Sequence, residues 1–186
     1  MIDKIGMRRK FRTCRNEFVL KLSPQEKSLA FSVAPSPLKS IFTPGKTVAA
    51  YIAVGSEANP LALLKYAQSA GCAIALPHVT SQTSPMQFLS WSPNDPLETG
   101  PFNLKQPIAS NTAVVPNIIL APLVAFDRSL ARLGQGAGHY DRALSLLNDV
   151  IFVGIGWSVQ EAVSLDVDPW DIPMDAILTE KEWICG

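Results

Sequence analysis

The sequence predicts an α/β fold with a mostly parallel central sheet, and three observations carry that expectation. Thr47 to Val54, Pro60 to about Ala70, and Cys72 to Leu76 read in turn as strand, helix and strand. That order and spacing make a βαβ unit, which implies a parallel pair. Val150 to Trp157 and the run that starts at Asn117 are short and apolar, as strands buried on both faces are. Finally, 186 residues with 47% hydrophobic content make one ordinary domain, long enough for a core flanked by helices.

Residues 2–21 read as the first helix, because Met7, Phe11, Cys14, Phe18 and Leu22 recur at helical spacing. Arg8, Arg12 and Arg15 fall on another face, which by periodicity alone is a solvated basic stripe. Ser23-Pro24-Gln25-Glu26 is a capping-box pattern with proline at the first helical position, so a second helix begins there. Pro35 and Pro37 close it. Within the βαβ unit, Gly55-Ser56-Glu57-Ala58-Asn59-Pro60 leads from strand to helix: Asn59 caps the helix, Pro60 opens it and Gly71 stops it. Glu57 thus stands at the carboxyl end of a strand, where ligands gather in open α/β sheets. A solvated loop carboxylate is the plainer reading. Met86 to Trp91 alternates as a strand, with Gln87, Leu89 and Trp91 on one face and Met86 and Phe88 on the other. Residues 92–116 hold five prolines (Pro93, Pro96, Pro101, Pro107 and Pro116) and little periodicity, which reads as a long loop, often a lid.

Composition excludes several classes. Sixteen Lys and Arg balance sixteen Asp and Glu, and a net charge of zero argues against a duplex-DNA binder. Three scattered cysteines, Cys14, Cys72 and Cys185, have no metal or redox spacing and read as thiols of a reducing compartment. No apolar run reaches membrane-spanning length, and the basic N-terminus lacks an apolar signal core. A cytoplasmic protein is expected, with no nucleic acid or membrane partner.

Chemistry concentrates between Asn117 and Arg142. The apolar run gives way to an Asp127-Arg128 turn, then to alternate glycines at 134, 136 and 138, then to a helix-compatible segment from His139 to Leu147. Alternate glycines let a backbone come close to a ligand, and the helix start offers unpaired N–H groups to an anion such as phosphate. The competing reading is an ordinary tight turn. No Walker loop is present, and a dinucleotide fingerprint from Gly134 and Gly136 would need a third glycine where His139 stands.

Taken whole, Ala125-Phe126-Asp127-Arg128 followed by Arg132-Leu133-Gly134-x-Gly136-x-Gly138-x-Tyr140-Asp141-Arg142 resembles the signature of the 5-formyltetrahydrofolate cyclo-ligase (methenyltetrahydrofolate synthetase) family. Further matches follow in the family's order from Arg8 to Glu180. They include the Leu-Ser-x-x-Glu step at Leu22, the Met-x-Phe strand at Met86, Gln160, and Asp171-Ile172-Pro173-Met174-Asp175 ending in Thr179-Glu180. The resemblance implies a single three-layer α/β/α domain spanning 1–186, expected as a monomer. It implies ATP- and Mg²⁺-dependent cyclisation of 5-formyltetrahydrofolate to 5,10-methenyltetrahydrofolate, releasing ADP and phosphate.

It also implies roles. Arg8, Arg12, Arg132, Leu133, Gly134, Gln135, Gly136, Ala137, Gly138, His139 and Tyr140 would meet the nucleotide. Ile52, Glu57, Gln135, Gly136, Ala137, Gly138 and His139 would meet the folate, whose pterin amine and ring N–H suit a carboxylate acceptor. Asp141 and Asp171 would hold Mg²⁺, and two carboxylates completed by water and phosphate are its usual shell. Arg132 and Tyr140 would act at the reacting centre, although Arg132 is equally placed to pair with Asp127. The chain departs from the signature at Leu130, where a turn glycine is usual, and at Gln135, Ala137, His139 and Trp170. Those changes bear on affinity and remove no acid or glycine that the chemistry needs. Two other readings stay open: a non-catalytic folate or nucleotide binder, and a paralogue acting on another small molecule.

Overall fold

The first helix, α1 (Lys4–Lys21), begins where the Asp3 side chain accepts a hydrogen bond from Gly6 N. Residues 3–81 and 83–186 are described by a computed structural model, so the expected helix start at residue 2 lies outside the described residues. Ser23 and Glu26 form the reciprocal capping box of α2 (Pro24–Leu29). Pro35 and Pro37 do not close that helix. They open a third one, α3 (Ser36–Ile41), because proline loses nothing in a first helical turn.

The βαβ unit consists of β1 (Thr47–Ala49), α4 (Leu61–Ser69) and β2 (Ala73–His78). Pro60 holds the N-cap position rather than the first helical one, and Asn59, one residue ahead of it, accepts from Leu61 N at 3.0 Å. Strand β1 is shorter than expected, since the chain leaves the ladder soon after Ala49. Strand β2 is longer and runs through Pro77. The β1 ladder stops at Ala75, so on that side no strand asks Pro77 for the N–H it lacks. Next comes β3 (Gln87–Ser90), which buries Phe88 and Leu89. Residues 92–116 are not a structureless loop: β4 (Leu97–Thr99) and β5 (Lys105–Pro107) pair as an antiparallel hairpin.

The central stretch folds as β6 (Ile118–Pro122), a small hairpin of β7 (Ala125–Phe126) and β8 (Arg132–Leu133), and α5 (His139–Leu144). After β9 (Ile151–Ile155) and β10 (Ala176–Leu178), a short antiparallel strand that periodicity does not reveal, β11 (Trp183–Cys185), ends the sheet.

Seven strands form the sheet in the order β11-β10-β9-β6-β1-β2-β3. From β2 to β10 the neighbours run parallel, and the two edge strands are antiparallel. One face carries Val48, Ile74, Leu120 and Val153 against Leu38 of α3, Leu63 and Leu64 of α4, and Phe18 of α1. The other carries Ala49, Ala75, Ile119 and Phe152 against Ala143 and Leu144 of α5. The arrangement is the expected three-layer α/β/α, its second helical layer thin. No helix among the described residues is long and apolar enough to cross a membrane.

Strand order reverses between β1 and β6. The chain proceeds outward from β1 to β2 and β3, then returns to lay β6 on the other side of β1. Such a switch point leaves a crevice beyond the carboxyl ends of the two strands.

Candidate functional site

A cleft of about 1120 Å³ occupies that crevice. The segment after β1 contributes Ile52 and Glu57 to its wall, and the chain after β6 contributes everything from Arg132 to Arg142. Helix α1 adds Lys4, Arg8 and Arg15, the β4–β5 hairpin adds Lys105 and Gln106, and residues 168–173 close one end.

Two arginines of α1 hold the glycine loop. Arg8 Nε donates to Gly134 O at 2.9 Å. A Cβ at Gly136 would meet Arg8 Cζ at 3.3 Å, and its φ of +109° is one that L side chains rarely adopt, so glycine is needed there on both counts. Arg12 is half-buried and stands outside the cleft wall, donating to Gln135 Oε1 at 2.6 Å. Among the described residues, none of the backbone N–H groups of 134–138 has an acceptor within the chain. Unpaired N–H groups on a loop that borders cationic side chains suit an anion.

Arg132 pairs with Asp141 rather than Asp127: its Nη2 lies 2.6 Å from Asp141 Oδ1. The guanidinium also sits over the Phe152 and Tyr140 rings, 5.0 and 5.9 Å from their centroids. Its buried Nε has no hydrogen-bond partner among the described residues. A buried donor left open in this way is costly unless a ligand satisfies it. Burial pushes the Tyr140 hydroxyl well above its ordinary pKa, so Tyr140 enters any chemistry as a neutral donor. Asp127 has a separate task. It accepts from Ser129 N, Ser129 Oγ, Ala131 N and Leu165 N, and so fastens the β7–β8 turn.

Glu57 and Gln135 meet across the cleft, Gln135 Nε2 donating to Glu57 Oε1 at 2.9 Å. Glu57 Oε2 accepts from Val54 N at 3.0 Å, and Arg15 Nη1 stands 4.0 Å from Oε1.

Asp171 accepts from Lys4 Nζ at 2.8 Å and from Asp168 N. Burial would raise its pKa, but the Lys4 and Asp168 hydrogen bonds outweigh burial and hold it below the ordinary range. Asp141 Oδ1 accepts from Ile172 N, which brings both predicted metal ligands to one end of the cleft. Asp141 Oδ2 and Asp171 Oδ1 accept no hydrogen bond among the described residues. Those residues contain no group of three or more His, Cys, Asp and Glu side chains fit to hold a metal alone. Two open carboxylate oxygens suit Mg²⁺ that completes its shell with water and phosphate.

A family profile, the 5-formyltetrahydrofolate cyclo-ligase family, matches residues 3–180. The chain belongs to that family. It is 35% identical over 154 residues to the 5-formyltetrahydrofolate cyclo-ligase of Mycolicibacterium smegmatis, covering 75% of this chain and 76% of that one. To the Escherichia coli protein of the same name it is 31% identical over 146 residues, 74% and 80% of the two chains. The solved structure of Aquifex aeolicus 5,10-methenyltetrahydrofolate synthetase superposes with a TM-score of 0.76 at 28% identity, covering 99% of this chain and 93% of that one.

Departures from the cyclo-ligase signature have structural consequences here. Leu130 adopts a φ of 68°, the left-handed conformation that a turn glycine takes without strain. Its side chain packs against the core beneath α5, which offsets part of that cost. Gln135 joins Arg12 to Glu57, and Trp170 is 69% exposed at the cleft mouth. Among the cleft residues that sequence reasoning missed are Lys4 and Arg15. Lys4 carries no motif, and its acidic partners lie far along the chain. Arg15 was legible as the third member of the basic stripe, yet it is buried, donating to Ser56 Oγ.

Proposed function

We propose that this chain catalyses the ATP-dependent cyclisation of 5-formyltetrahydrofolate to 5,10-methenyltetrahydrofolate, with Mg²⁺, releasing ADP and phosphate. The observation that carries the reading is the open Nε of Arg132, buried between Asp141 and two aromatic rings in a cleft that also holds Glu57 and the glycine loop. This family membership and that donor set support one chemistry. A formyl oxygen on nitrogen is a poor leaving group. Transfer of the γ-phosphoryl to that oxygen converts it to a phosphate, and N10 then attacks the formyl carbon and expels phosphate. No protein nucleophile is needed, and the work left to the protein is positioning and charge stabilisation.

Each residue takes a part in that work. Arg8 and Arg132 supply guanidinium forks for phosphate oxygens, and the N–H groups of 134–138 add uncharged donors. Arg12 acts through Gln135 by fixing the loop's path. Glu57 accepts from the pterin, with Ile52 and the 135–139 loop beside the ring. Tyr140, neutral, shapes the junction of the two substrates. Asp141 and Asp171 would hold Mg²⁺, which when bound neutralises phosphate charge.

The test is direct. Purified protein given 5-formyltetrahydrofolate, ATP and Mg²⁺ is expected to produce the methenyl-folate absorbance, and chelation of the metal or omission of ATP to abolish it. Folate binding without product would make the chain a non-catalytic binder. Absence of folate binding would assign it another substrate.

A further inference from the structure

Three carboxylates, Asp141, Asp168 and Asp171, stand at one end of the cleft, and two cations, Lys4 and Arg132, face them. Arg132 is engaged with Asp141. Lys4 bridges the other two, its Nζ 2.6 Å from Asp168 Oδ2 and 2.8 Å from Asp171 Oδ2. It reaches them from the first turn of α1, and its side chain is only 20% exposed. Asp171 is 21% exposed and Asp168 39%, so the Lys4–Asp171 pair is the better shielded of the two and is worth more than an exposed one.

We propose that Lys4 is the resident cation of the Asp168–Asp171 pair and sets the metal affinity of the site by competing with Mg²⁺ for Asp171. The inference deepens the function proposed above and rests on one part of it, that Asp171 is a metal ligand. An ammonium is a compact point charge with three donors, and a hard divalent cation seeks the same carboxylate oxygens. With Lys4 in place, three carboxylates face two cations, and the end of the cleft keeps one unit of negative charge. Without it the surplus doubles and Asp171 Oδ2 keeps only the Asp168 N–H as a partner. Asp168 has a part in the exchange. It gives the ammonium a second acceptor, so Lys4 can stay bound there while Asp171 turns to the metal. The freed positive charge remains in the cleft, where phosphate charge would arrive.

A simpler role for Lys4 is a staple that ties α1 to residues 168–171. The two roles part on metal binding. A staple's removal lowers stability and leaves metal affinity alone, whereas a competitor's removal tightens it. Mn²⁺ serves as the probe, titrated into the full chain without nucleotide and followed by water proton relaxation. Circular dichroism reports folding of each variant. Lys4→Met is expected to bind Mn²⁺ roughly tenfold more tightly than wild type, the scale of one charge-assisted contact removed from the competition. Lys4→Gln gives a second reading should the methionine variant not fold, and Lys4→Arg, which keeps the charge, should stay close to wild type. Asp171→Asn should weaken Mn²⁺. Unchanged affinity in both neutral Lys4 variants, with Asp171→Asn weakened, overturns the competition and leaves the metal site standing. Unchanged affinity in Asp171→Asn overturns both.

Discussion

Glu57 has both carboxylate oxygens engaged inside the protein, Oε1 with Gln135 and Oε2 with Val54 N. Neither bond serves α4, whose first N–H, that of Leu61, is held by Asn59. That separates the functional from the structural role of Glu57 more cleanly than the sequence could. Glu57→Gln keeps the volume and an acceptor for Val54 N but removes the charge that faces buried Arg15 at 4.0 Å, so the melting temperature should drop only modestly. It loses a charge-assisted bond to the folate, worth on the order of 1.5–3 kcal/mol, or roughly ten- to hundredfold in affinity. The expected outcome is a raised KM for 5-formyltetrahydrofolate with KM for ATP unchanged, measured on one preparation. An unchanged folate KM would retire the assignment. Placement was the most legible level here: the glycines, Tyr140 and the two acids that the signature singles out all line the cleft. Pairing was not. Arg132 reaches Asp141 rather than the nearer-seeming Asp127, because β7 and β8 fold back as a hairpin and aim the guanidinium at α5.

At the scale of elements, the β4–β5 hairpin shows how a cleft wall is held. Gln106 is buried, its Oε1 accepting from Val79 N and its Nε2 donating to Glu98 Oε1, which also meets His78 Nε2 at 3.3 Å. A Cβ at Gly100 would come within 2.3 Å of the Gln106 side chain, so the hairpin tip closes tightly over it. Gln106→Ala would strand the buried Val79 N–H, at a cost of about 1–3 kcal/mol. Because Lys105 and Gln106 line the cleft, the same change should raise substrate KM. Chemical unfolding and steady-state kinetics on that variant check both, and a stability loss with unaltered kinetics would make the hairpin a structural bystander. Helices and long strands were readable because their periodicity is local. This hairpin was not, since its strands have three residues each and hold their shape through partners on β2 and each other.

Over the whole molecule, acid stability should depend on Asp127. Burial alone would raise its pKa, but hydrogen bonds from Ser129, Leu165 and Ala131 outweigh burial and lower it. A carboxyl whose folded pKa lies below its unfolded one adds stability above the unfolded pKa and loses it as pH falls through the folded one. The stabilisation from Asp127 should therefore be full at neutral pH and fade below about pH 4. Asp127→Asn should melt at lower temperature than wild type at pH 7, and the gap should narrow as pH drops below that value. A gap independent of pH would mean that shape rather than charge holds the turn. The overall architecture was foreseeable, since βαβ spacing forces parallel pairing and the resemblance supplied the layers. Strand order at the edges was not, because β11 has three residues and pairs with β10 without any pattern of its own.

The junction of β1 and β6 has a further consequence, in the rate at which backbone amides exchange with solvent. Val48 and Ala49 pair with Ile118 and Ile119, so segments about seventy residues apart in sequence meet along one seam. One cleft wall follows β1 and the other follows β6, and separating the seam would pull the site apart. A ligand bound across it stabilises the closed state by RT ln(1 + [L]/Kd), about 2.7 kcal/mol at a hundredfold excess over Kd. Hydrogen–deuterium exchange should therefore slow along β1 and β6 when ATP and folate are added, while peptides covering β11 exchange as before. Equal slowing everywhere would mean that the seam opens only when the entire chain unfolds.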